Sequence, residues 1–516
     1  MVTQVRPDTL PETRLAGLAL VSSASGQYVA LAFDGDRVVE RLSGHVDSVV
    51  DAVKLAELAD GRPIISDSPR RALDALVRAG VRSPIVWDLL ELAALLAPAC
   101  PNDSLERATT FFGIVLDGSG LACQAERVLM LFQLLVAMLD GLDTQTLLHV
   151  TRLANGLDWP LRLVFNEAQR RRALSALETG ALAAGSPIGA WVTQGTAPRR
   201  RQASVPDADP PPLDAEDIAR RLAPEASIAH TLPGYEARHE QVHMAQLVGE
   251  TLSTGGQLLI EAGTGTGKSL AYLLPAALRA VRANRRVVVS TATTTLQDQL
   301  FEQDLPLVRA GLAGEPPLRA TVLKGRTNYL CLRRWQLLLH AGDLTPADRM
   351  LLIKTLFWLP RTTTGDRAEL HLSPGEDEAW QRVCAVAEAC TPLRCTFHRI
   401  GVCFLARARR AAEESHIVIA NHALLLSDLA SRSRVLPDYD ALIVDEAHHL
   451  EDEATQQLGW RLGERELLSR LERVWSPGGG GSGAVPEAVG LIGTANGLRV
   501  PAELQPILQQ GERAVL

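Results

Sequence analysis

Two short segments carry the residue types that bind and hydrolyse a nucleoside triphosphate. Residues 260–269 read IEAGTGTGKS. In such a glycine-rich turn before a helix, backbone N–H groups point at phosphates, Lys268 reaches the β- and γ-phosphates, and Ser269 ligates Mg²⁺. Residues 441–452 read ALIVDEAHHLED, an apolar run that ends at Asp445 and Glu446. We expect Asp445 to hold Mg²⁺, directly or through water, and Glu446 to orient and deprotonate the attacking water.

Each segment also has an ordinary interpretation. A glycine-rich turn arises by chance, and an Asp-Glu pair after a strand is usually a solvated strand end. The flanking residues favour the functional interpretation, because QLLI before the loop reads as a strand and LAYLLPAALRAV after it reads as a helix. A strand, a glycine-rich loop and a helix in that order are the context that phosphate binding needs.

Cysteines form the second unusual feature. The chain has seven in 516 residues, and the run CTPLRCTFHRIGVC contains three of them. A disulfide-stapled secreted domain is short and cysteine-dense, unlike this chain. The first residues, MVTQVRPDTLPETR, have no apolar signal core, and the apolar run at 129–139 is short for a bilayer and contains Gln133. We therefore expect a soluble cytoplasmic protein, away from membranes, whose clustered cysteines hold a metal or a metal cluster.

Bulk composition narrows the class of partner. The chain is 46% hydrophobic and 22% charged, with a formal net charge of −8. Ordinary cores are possible at this composition, and the length suggests two to four domains. Because no overall basic field exists, nucleic acid must be bound through local patches.

The elements that must position these residues follow from hydrophobic patterning. In the second half, the apolar runs QLLIEA, RVVVSTA, HIVIA and ALIVDEA alternate with helical stretches. That alternation predicts a parallel α/β sheet. The first half opens with the strand-like runs LAGLALVSS and YVALAFDG and then becomes mostly helical. A Pro-, Asp- and Arg-rich segment between the halves predicts a linker.

The paired motifs resemble those of a known family. EAGTGTGKS with DEAHHLED, and Ala262 where the strict phosphate-loop pattern has glycine, resemble the DinG/XPD-like branch of superfamily 2 DNA helicases. YEARHEQVHMA resembles that branch's adenine-side motif, and STATTTLQDQL resembles a segment that contacts single-stranded DNA. LKGRTNYLC and IANHALLLSDL match segments that flank its iron–sulfur domain. The resemblance runs from about residue 233 to residue 452.

The resemblance implies roles for individual residues. His448 would couple ATP to nucleic acid, and Arg326 and Tyr329 would grip single-stranded DNA. The expected nucleotide contacts are Arg238, Gln241, Ala262, Gly263, Thr264, Gly265, Thr266, Gly267, Lys268 and Ser269.

The same resemblance implies a 4Fe–4S cluster on an inserted domain. Cys384 would either replace Cys390 as a ligand or be a buried spare. A structural Zn²⁺ on the same thiolates is the alternative, with His398 and His416 as further donors. The matching cluster ligands are Cys331, Cys390, Cys395 and Cys403.

The implied fold is a P-loop RecA-like parallel sheet with an iron–sulfur insertion, preceded by an α/β RNase H-like domain. The implied activity is ATP-driven 5′–3′ translocation on single-stranded DNA and unwinding of forked duplexes in DNA repair or replication. A monomer is expected, as the front part of a longer helicase whose second motor domain is missing or lies on a second chain. The 516 residues alone are therefore expected to bind ATP and Mg²⁺ weakly, to turn ATP over very slowly and to unwind nothing. The resemblance divides the chain into six segments. They are an exonuclease-like domain (1–188), a linker (189–230), the first part of motor domain 1 (231–323), the iron–sulfur insertion (324–415), the DEAH strand of motor domain 1 (416–452) and the start of a helical arch (453–516).

The first block resembles a DEDD-type 3′–5′ exonuclease only in pattern. The acidic pair expected on its first strand is absent, since that strand reads LALVSS, and Gln124 stands near the place of the last expected Asp. Asp88 matches a non-ligating position. We therefore expect a degenerate domain without a metal site, and an unrelated α/β domain is the alternative. Two other functions stay open: a nucleotide-dependent nucleic-acid clamp without motor activity, and a 3′–5′ exonuclease.

Overall fold

The structure is a computed structural model that describes residues 15–179 and 211–459, apart from residues 117, 233, 264, 388 and 432–434. The described residues form three parts. The N-terminal block is residues 15–179, the phosphate-loop domain is residues 211–323 and 416–459, and the cysteine insertion is residues 324–415.

The N-terminal block is a five-stranded sheet covered by helices. Its strand order is β3-β2-β1-β4-β5. The β1–β2 and β2–β3 pairs are antiparallel, whereas β1–β4 and β4–β5 are parallel. Its elements are β1 (Ala16–Ser22), β2 (Gln27–Asp34), β3 (Arg37–His45), α1 (Val49–Ala59), β4 (Ile64–Ser66), α2 (Pro69–Arg78), β5 (Val86–Asp88), α3 (Leu89–Leu96), α4 (Leu105–Phe111), α5 (Leu121–Asp140), α6 (Thr144–Ala154) and α7 (Arg162–Thr179).

Helix α5 is the central helix of this block. It is the one helix among the described residues that is long and apolar enough to cross a membrane by length and composition. Half of its residues are instead buried, in the core that also contains Phe33 and Trp87. Gln133, near its middle, is buried and donates to the Gly35 carbonyl at 3.3 Å. These contacts are those of a core helix.

The phosphate-loop domain contains a four-stranded sheet whose pairs are all parallel, in the order β7-β8-β6-β9. Three of the four predicted strand runs are present in it. The elements before the insertion are α8 (Ala215–Arg221), α9 (Ser227–Thr231), α10 (His239–Thr254), α11 (Lys268–Ala283), β6 (Val287–Thr291), α12 (Thr294–Gln299), α13 (Leu305–Gly311) and β7 (Ala320–Val322).

The prediction of a strand at QLLIEA is wrong. Residues 255–263 carry no strand pairing, and Leu259 is 92% exposed. A strand needs a neighbour that supplies ladder hydrogen bonds, and among the described strands none pairs with this run. The apolar run alone does not reveal whether a partner lies beside it.

The predicted linker at 189–230 extends too far toward the C-terminus. Helices α8 and α9 fall inside that range, and Ile218, Leu222 and Ile228 are buried in the core of the phosphate-loop domain. Residues 211–231 therefore belong to that domain. Residues 189–210 lie outside the described residues, as do residues 460–516 of the predicted arch.

The cysteine insertion leaves the sheet after β7 and returns to it at β8. Its helices are α14 (Leu332–Leu339), α15 (Pro346–Trp358), α16 (Pro374–Val383), α17 (Thr396–Arg399) and α18 (Phe404–Glu414). The chain then continues with β8 (Ile417–Asn421), α19 (His422–Ser431), β9 (Ala441–Val444) and α20 (Leu450–Leu458).

The insertion shares one apolar core with the N-terminal block. The rings of Phe165 on α7 and Phe357 on α15 lie 5.9 Å apart between centroids, and both side chains are buried. Arg349 donates to the Leu153 carbonyl at 3.4 Å. On the other side, buried Lys324 contacts Asp298 of the phosphate-loop domain at 2.9 Å and Asp366 of the insertion at 2.7 Å. The insertion is therefore held from two directions.

Candidate functional site

The glycine-rich loop lies at the start of α11, which begins at Lys268. Gly265 and Gly267 have φ values of 82° and 76°, in the left-handed region that glycine adopts without a steric penalty. A Cβ at Gly267 would lie 2.0 Å from the Gln241 amide nitrogen. That nitrogen donates to the Gly267 carbonyl at 3.0 Å, so the predicted adenine-side residue Gln241 contacts the phosphate loop itself.

The acidic turn follows β9, which pairs in parallel with β6. The Asp445 backbone N–H donates to the Ser290 carbonyl at 2.8 Å and so extends this pairing by one bond. Glu446 then has φ 52° and ψ 45°, a left-handed conformation that is unusual for a residue with a side chain. Such conformations cost about 1–3 kcal/mol and persist only where the surrounding structure enforces them.

The fold brings the two motifs together. Lys268 and Glu446 are 178 positions apart in sequence, and their Nζ and Oε1 atoms lie 3.4 Å apart. The Tyr272 hydroxyl, one turn into α11, donates to Asp445 Oδ2 at 3.0 Å. The loop lysine and both predicted acids therefore border one site.

Asp304 is a further acid at this site that the sequence analysis missed. Its carboxylate interacts with the Ser269 hydroxyl and with Asp445, and its Oδ2 is buried without a hydrogen-bond partner. Burial raises the pKa of Asp304; Ser269 opposes that rise and Asp445 adds to it. Burial likewise raises the pKa of Asp445, with Tyr272 opposing. A bound divalent cation would relieve the repulsion between these carboxylates.

A local distortion turns Asp304 toward the site. Residues Leu300–Asp304 form a π-helical turn between α12 and α13. In it the Leu305 N–H bonds to the Leu300 carbonyl, five residues back. Pro306 follows and has no N–H to donate. Single π-turns of this kind occur often at functional sites.

The other predicted nucleotide residues are placed as follows. Arg238 is exposed at the start of α10, and Thr264 lies outside the described residues. The Thr266 hydroxyl donates to the Gly263 carbonyl at 3.0 Å. His448 is 67% exposed, with Nδ1 3.5 Å from Glu446 Oε2.

Four thiols line one small cavity in the cysteine insertion. Their sulfurs border the cavity together with Leu330, Phe397 and His398. Burial raises the pKa of the Cys403 thiol, and the other three thiols add to the rise. These four are the predicted ligands Cys331, Cys390, Cys395 and Cys403.

Cys384 lies outside this cavity. It is fully buried, and its Sγ is 3.7 Å from the Gln381 carbonyl oxygen. His416, the second histidine considered for zinc, contacts Arg319 instead, with Nε2 2.8 Å from Nη2. Of the candidate donors beyond the four thiols, His398 is the one that lines the cavity.

In the part of the chain that the structure describes, no three His, Cys, Asp or Glu side chains are arranged to hold a metal ion. The four thiols share one cavity, and the two candidate groups would space their sulfurs differently. A single Zn²⁺, with Zn–S bonds of about 2.3 Å, would hold its sulfurs roughly 4 Å apart. A cluster carries each thiolate on a different iron and so separates the sulfurs more widely.

Tyr329 does not have the predicted exposure. It is 3% exposed, and its hydroxyl accepts from the Lys324 backbone N–H at 3.0 Å. A ring held in this way cannot stack on a base, so its prediction as a DNA contact is wrong. The apolar neighbours that bury it come from the distant parts of the insertion and could not be inferred from GRTNYLC.

Part of the chain is similar in sequence to known proteins. Residues 243–312 match the family model for DEAD/DEAH box helicases. The chain is 38% identical over 250 residues to a protein of Bacillus subtilis named 3′-5′ exonuclease DinG. It is 37% identical over 252 residues to the Escherichia coli ATP-dependent DNA helicase YoaA, and 38% over 277 residues to the ATP-dependent helicase DinG of Mycobacterium tuberculosis. This part of the chain is DinG-like.

The DinG-like part is about half of the chain, and it spans less than half of each relative. The aligned segment covers 48% of this chain and 26% of the B. subtilis protein. It covers 38% of the E. coli protein and 41% of the M. tuberculosis protein. The parallel sheet with its phosphate loop fits a P-loop RecA-like fold.

Outside the DinG-like motor motifs, the N-terminal block presents acids at a second cavity. Asp88 caps α3 by accepting from the Leu90 and Glu91 backbone N–H groups at 2.9 and 3.0 Å. Strand β1 ends at Ser22 without an acid. A cavity of about 810 Å³ between this block and the insertion is lined by Asp67, Asp88, Glu91, Lys354, Glu369 and His371, among others.

Proposed function

We propose that the chain is an ATP-dependent DNA helicase of the DinG type. It couples ATP hydrolysis to 5′–3′ movement along single-stranded DNA and to unwinding of forked duplexes, in the cytoplasm, in repair or replication of DNA. The observation that carries this proposal is the meeting of Lys268 with Glu446 beside Asp445 at the start of α11.

The chain's own residues divide the work of hydrolysis. The Lys268–Glu446 pair is partly exposed, at 30% and 32% of the two side chains, and such pairs contribute about 0–1 kcal/mol. An entering triphosphate therefore displaces Glu446 from Lys268 at little cost. Lys268 then contacts phosphate oxygens, and Glu446 is free to accept a proton from the attacking water.

Mg²⁺ fits the donors beside this loop. Ser269, Asp304 and Asp445 supply hydroxyl and carboxylate oxygens, the ligand types that Mg²⁺ prefers. When bound with ATP, Mg²⁺ would neutralise charge that develops on the phosphates.

A 4Fe–4S cluster is the group that we propose for the cysteine cavity, with Zn²⁺ as the alternative. All four predicted ligands border that cavity, whereas Cys384 is not among its lining residues. A bound cluster would supply a rigid anchor for the loops that carry its ligands. Iron content and a broad absorption band in the visible region separate the two metals, because Zn²⁺ is colourless.

Single-stranded DNA is the proposed polymer substrate. Thr293 and Thr294 are exposed where β6 meets α12, and the Thr293 hydroxyl accepts from the Leu296 N–H at 3.2 Å. Hydroxyl and backbone N–H groups of this kind contact phosphates in a way that is independent of sequence. A nucleotide-dependent clamp would use the same surface without turnover.

Nuclease activity is not part of the proposal. One relative is named an exonuclease, but β1 of this chain carries no carboxylate at its end, and two-metal nucleases hold their metals with carboxylates.

Forked duplexes with a single 5′ tail or a single 3′ tail test the proposed direction. With the second motor domain supplied in cis or as a partner chain, ATP-dependent unwinding of the 5′-tailed substrate alone is the expected result. Preference for the 3′ tail would reverse the proposed polarity, and ATP-dependent binding without strand separation would favour the clamp.

A further inference from the structure

His422 lies beneath the acidic turn and is not explained by the motifs above. It is the first residue of α19, directly after β8, and it is fully buried. Its Nδ1 is 2.7 Å from the Ser290 hydroxyl oxygen. Its Nε2 is buried without a close hydrogen-bond partner. Burial lowers the pKa of the ring, and the backbone groups of Asp445 and Glu446 are near enough to the ring to oppose that shift.

The surroundings decide which ring nitrogen carries the proton. The neutral imidazole, which has one donor and one acceptor, suits a fully buried ring that contacts a hydroxyl through Nδ1. The Ser290 hydroxyl can serve as either partner, whereas a backbone carbonyl only accepts. The tautomer with the proton on Nε2 satisfies both sides, because Ser290 donates to Nδ1 and Nε2–H faces the turn's carbonyl groups.

Ser290 joins the same turn by a second route. Its carbonyl accepts from the Asp445 N–H at 2.8 Å, and it pairs with Val444 in the sheet. Ser290 also lies shortly before Thr293 and α12 in the chain, and these form the surface proposed to bind DNA. A short network of strand end, histidine and turn therefore lies between that surface and Glu446.

We propose that His422 is a positioning residue that holds Glu446 in its left-handed conformation and transmits movement of residues 291–300 to it. The DNA half of this inference rests on the proposed function; the positioning half does not. The turn needs such support because its conformation is strained in isolation.

A buried histidine can also serve packing alone, and the chain offers a matched control. His416 is 4% exposed and lies at the opposite end of β8 from His422. Its ring contacts Arg319. A packing role predicts similar consequences for His416→Asn and His422→Asn.

Two substitutions separate the ring nitrogens. Asn places its amide near Nδ1 and reaches Ser290 only, whereas the longer Gln places its amide near Nε2 and reaches the turn. We expect His422→Gln to retain most of the function and His422→Asn to lose it. Thermal unfolding of each variant establishes that it is folded.

The first readout is amide hydrogen exchange of peptides covering residues 445–449 in ligand-free protein. We expect exchange to accelerate roughly tenfold or more in His422→Asn and to stay near wild type in His422→Gln and His416→Asn, because an opened turn loses its protection. Unchanged exchange in His422→Asn would overturn the positioning role. This readout requires neither ATP turnover nor DNA.

The second readout is the ratio of ATP turnover with and without single-stranded DNA, measured with the second motor domain supplied in cis or as a partner chain. We expect that ratio to fall roughly tenfold in His422→Asn and to be within about threefold of wild type in the other two variants. A retained ratio in His422→Asn would overturn the transmitting role. Wild-type protein that DNA fails to stimulate would sink the proposed function instead, and the exchange result would still decide the positioning role.

Discussion

Phe357→Ala tests whether the N-terminal block and the cysteine insertion unfold as one unit. Phe357 is 1% exposed and packs on Phe165 of the N-terminal block within a shared core. Truncating a buried Phe to Ala costs about 3–5 kcal/mol. At roughly 2–4 °C per kcal/mol for a unit of this size, the unfolding midpoint should fall by about 6–20 °C.

A double-mutant cycle makes the expectation specific. If the two rings stabilise one another, Phe165→Ala and Phe357→Ala together should differ from the sum of the single effects by about 0.5–1.5 kcal/mol. Phe132→Ala is the matched control, since its ring packs on Phe33 at 5.8 Å within the N-terminal block. Combined with Phe357→Ala, it should be additive within about 0.5 kcal/mol.

Hydrogen exchange locates the effect. In Phe357→Ala, peptides from α7 should lose protection together with peptides from α15, because both helices contribute to the same core. Protection lost in α15 alone, with an additive Phe165 and Phe357 pair, would refute the shared core and make the two parts independent domains.

Three further predictions follow from the sites. Cys390→Ser should lose bound iron while Cys384→Ser keeps it, as measured by iron content and visible absorption; the reverse pattern would show that Cys384 is the ligand in place of Cys390. Asp304→Asn should raise the Mg²⁺ concentration for half-maximal binding of a fluorescent ATP analogue by roughly tenfold. The exposed neighbour Glu302→Gln should leave it unchanged, and equal effects would remove Asp304 from the site. The full chain with Mg²⁺ or Mn²⁺ and no ATP should leave a labelled 3′ end intact, and degradation in proportion to pure protein would contradict the loss of the nuclease site.

Local chemistry is what the sequence could predict. The phosphate loop and the acidic strand end are contiguous segments, so the residue types and their spacing were enough to place Lys268 and Glu446 in one site. The burial of β6 and β8 likewise follows from their unbroken apolar runs.

Long-range packing is what the sequence could not predict. Asp304 reaches the site through a π-turn, which depends on a single altered hydrogen bond and has no pattern in LFEQDLP. The predictions for Tyr329 and for the QLLIEA run were wrong for the same reason. The presence or absence of a neighbouring segment decides whether a side chain is buried and whether a strand is paired. The contact between Phe165 and Phe357 joins residues of unrelated segments and has no local signal.

Steady-state ATP turnover with and without single-stranded DNA, measured with the second motor domain supplied in cis or as a partner chain, tests the central claim most directly. Wild-type protein should hydrolyse ATP faster when DNA is added, and Lys268→Ala and Glu446→Gln should each reduce that turnover by roughly 100-fold or more, because both act on the reacting phosphate or water. Lys54→Ala, an exposed lysine of the N-terminal block, should match wild type. Turnover that survives Lys268→Ala, or that DNA does not change in wild-type protein, would contradict the account.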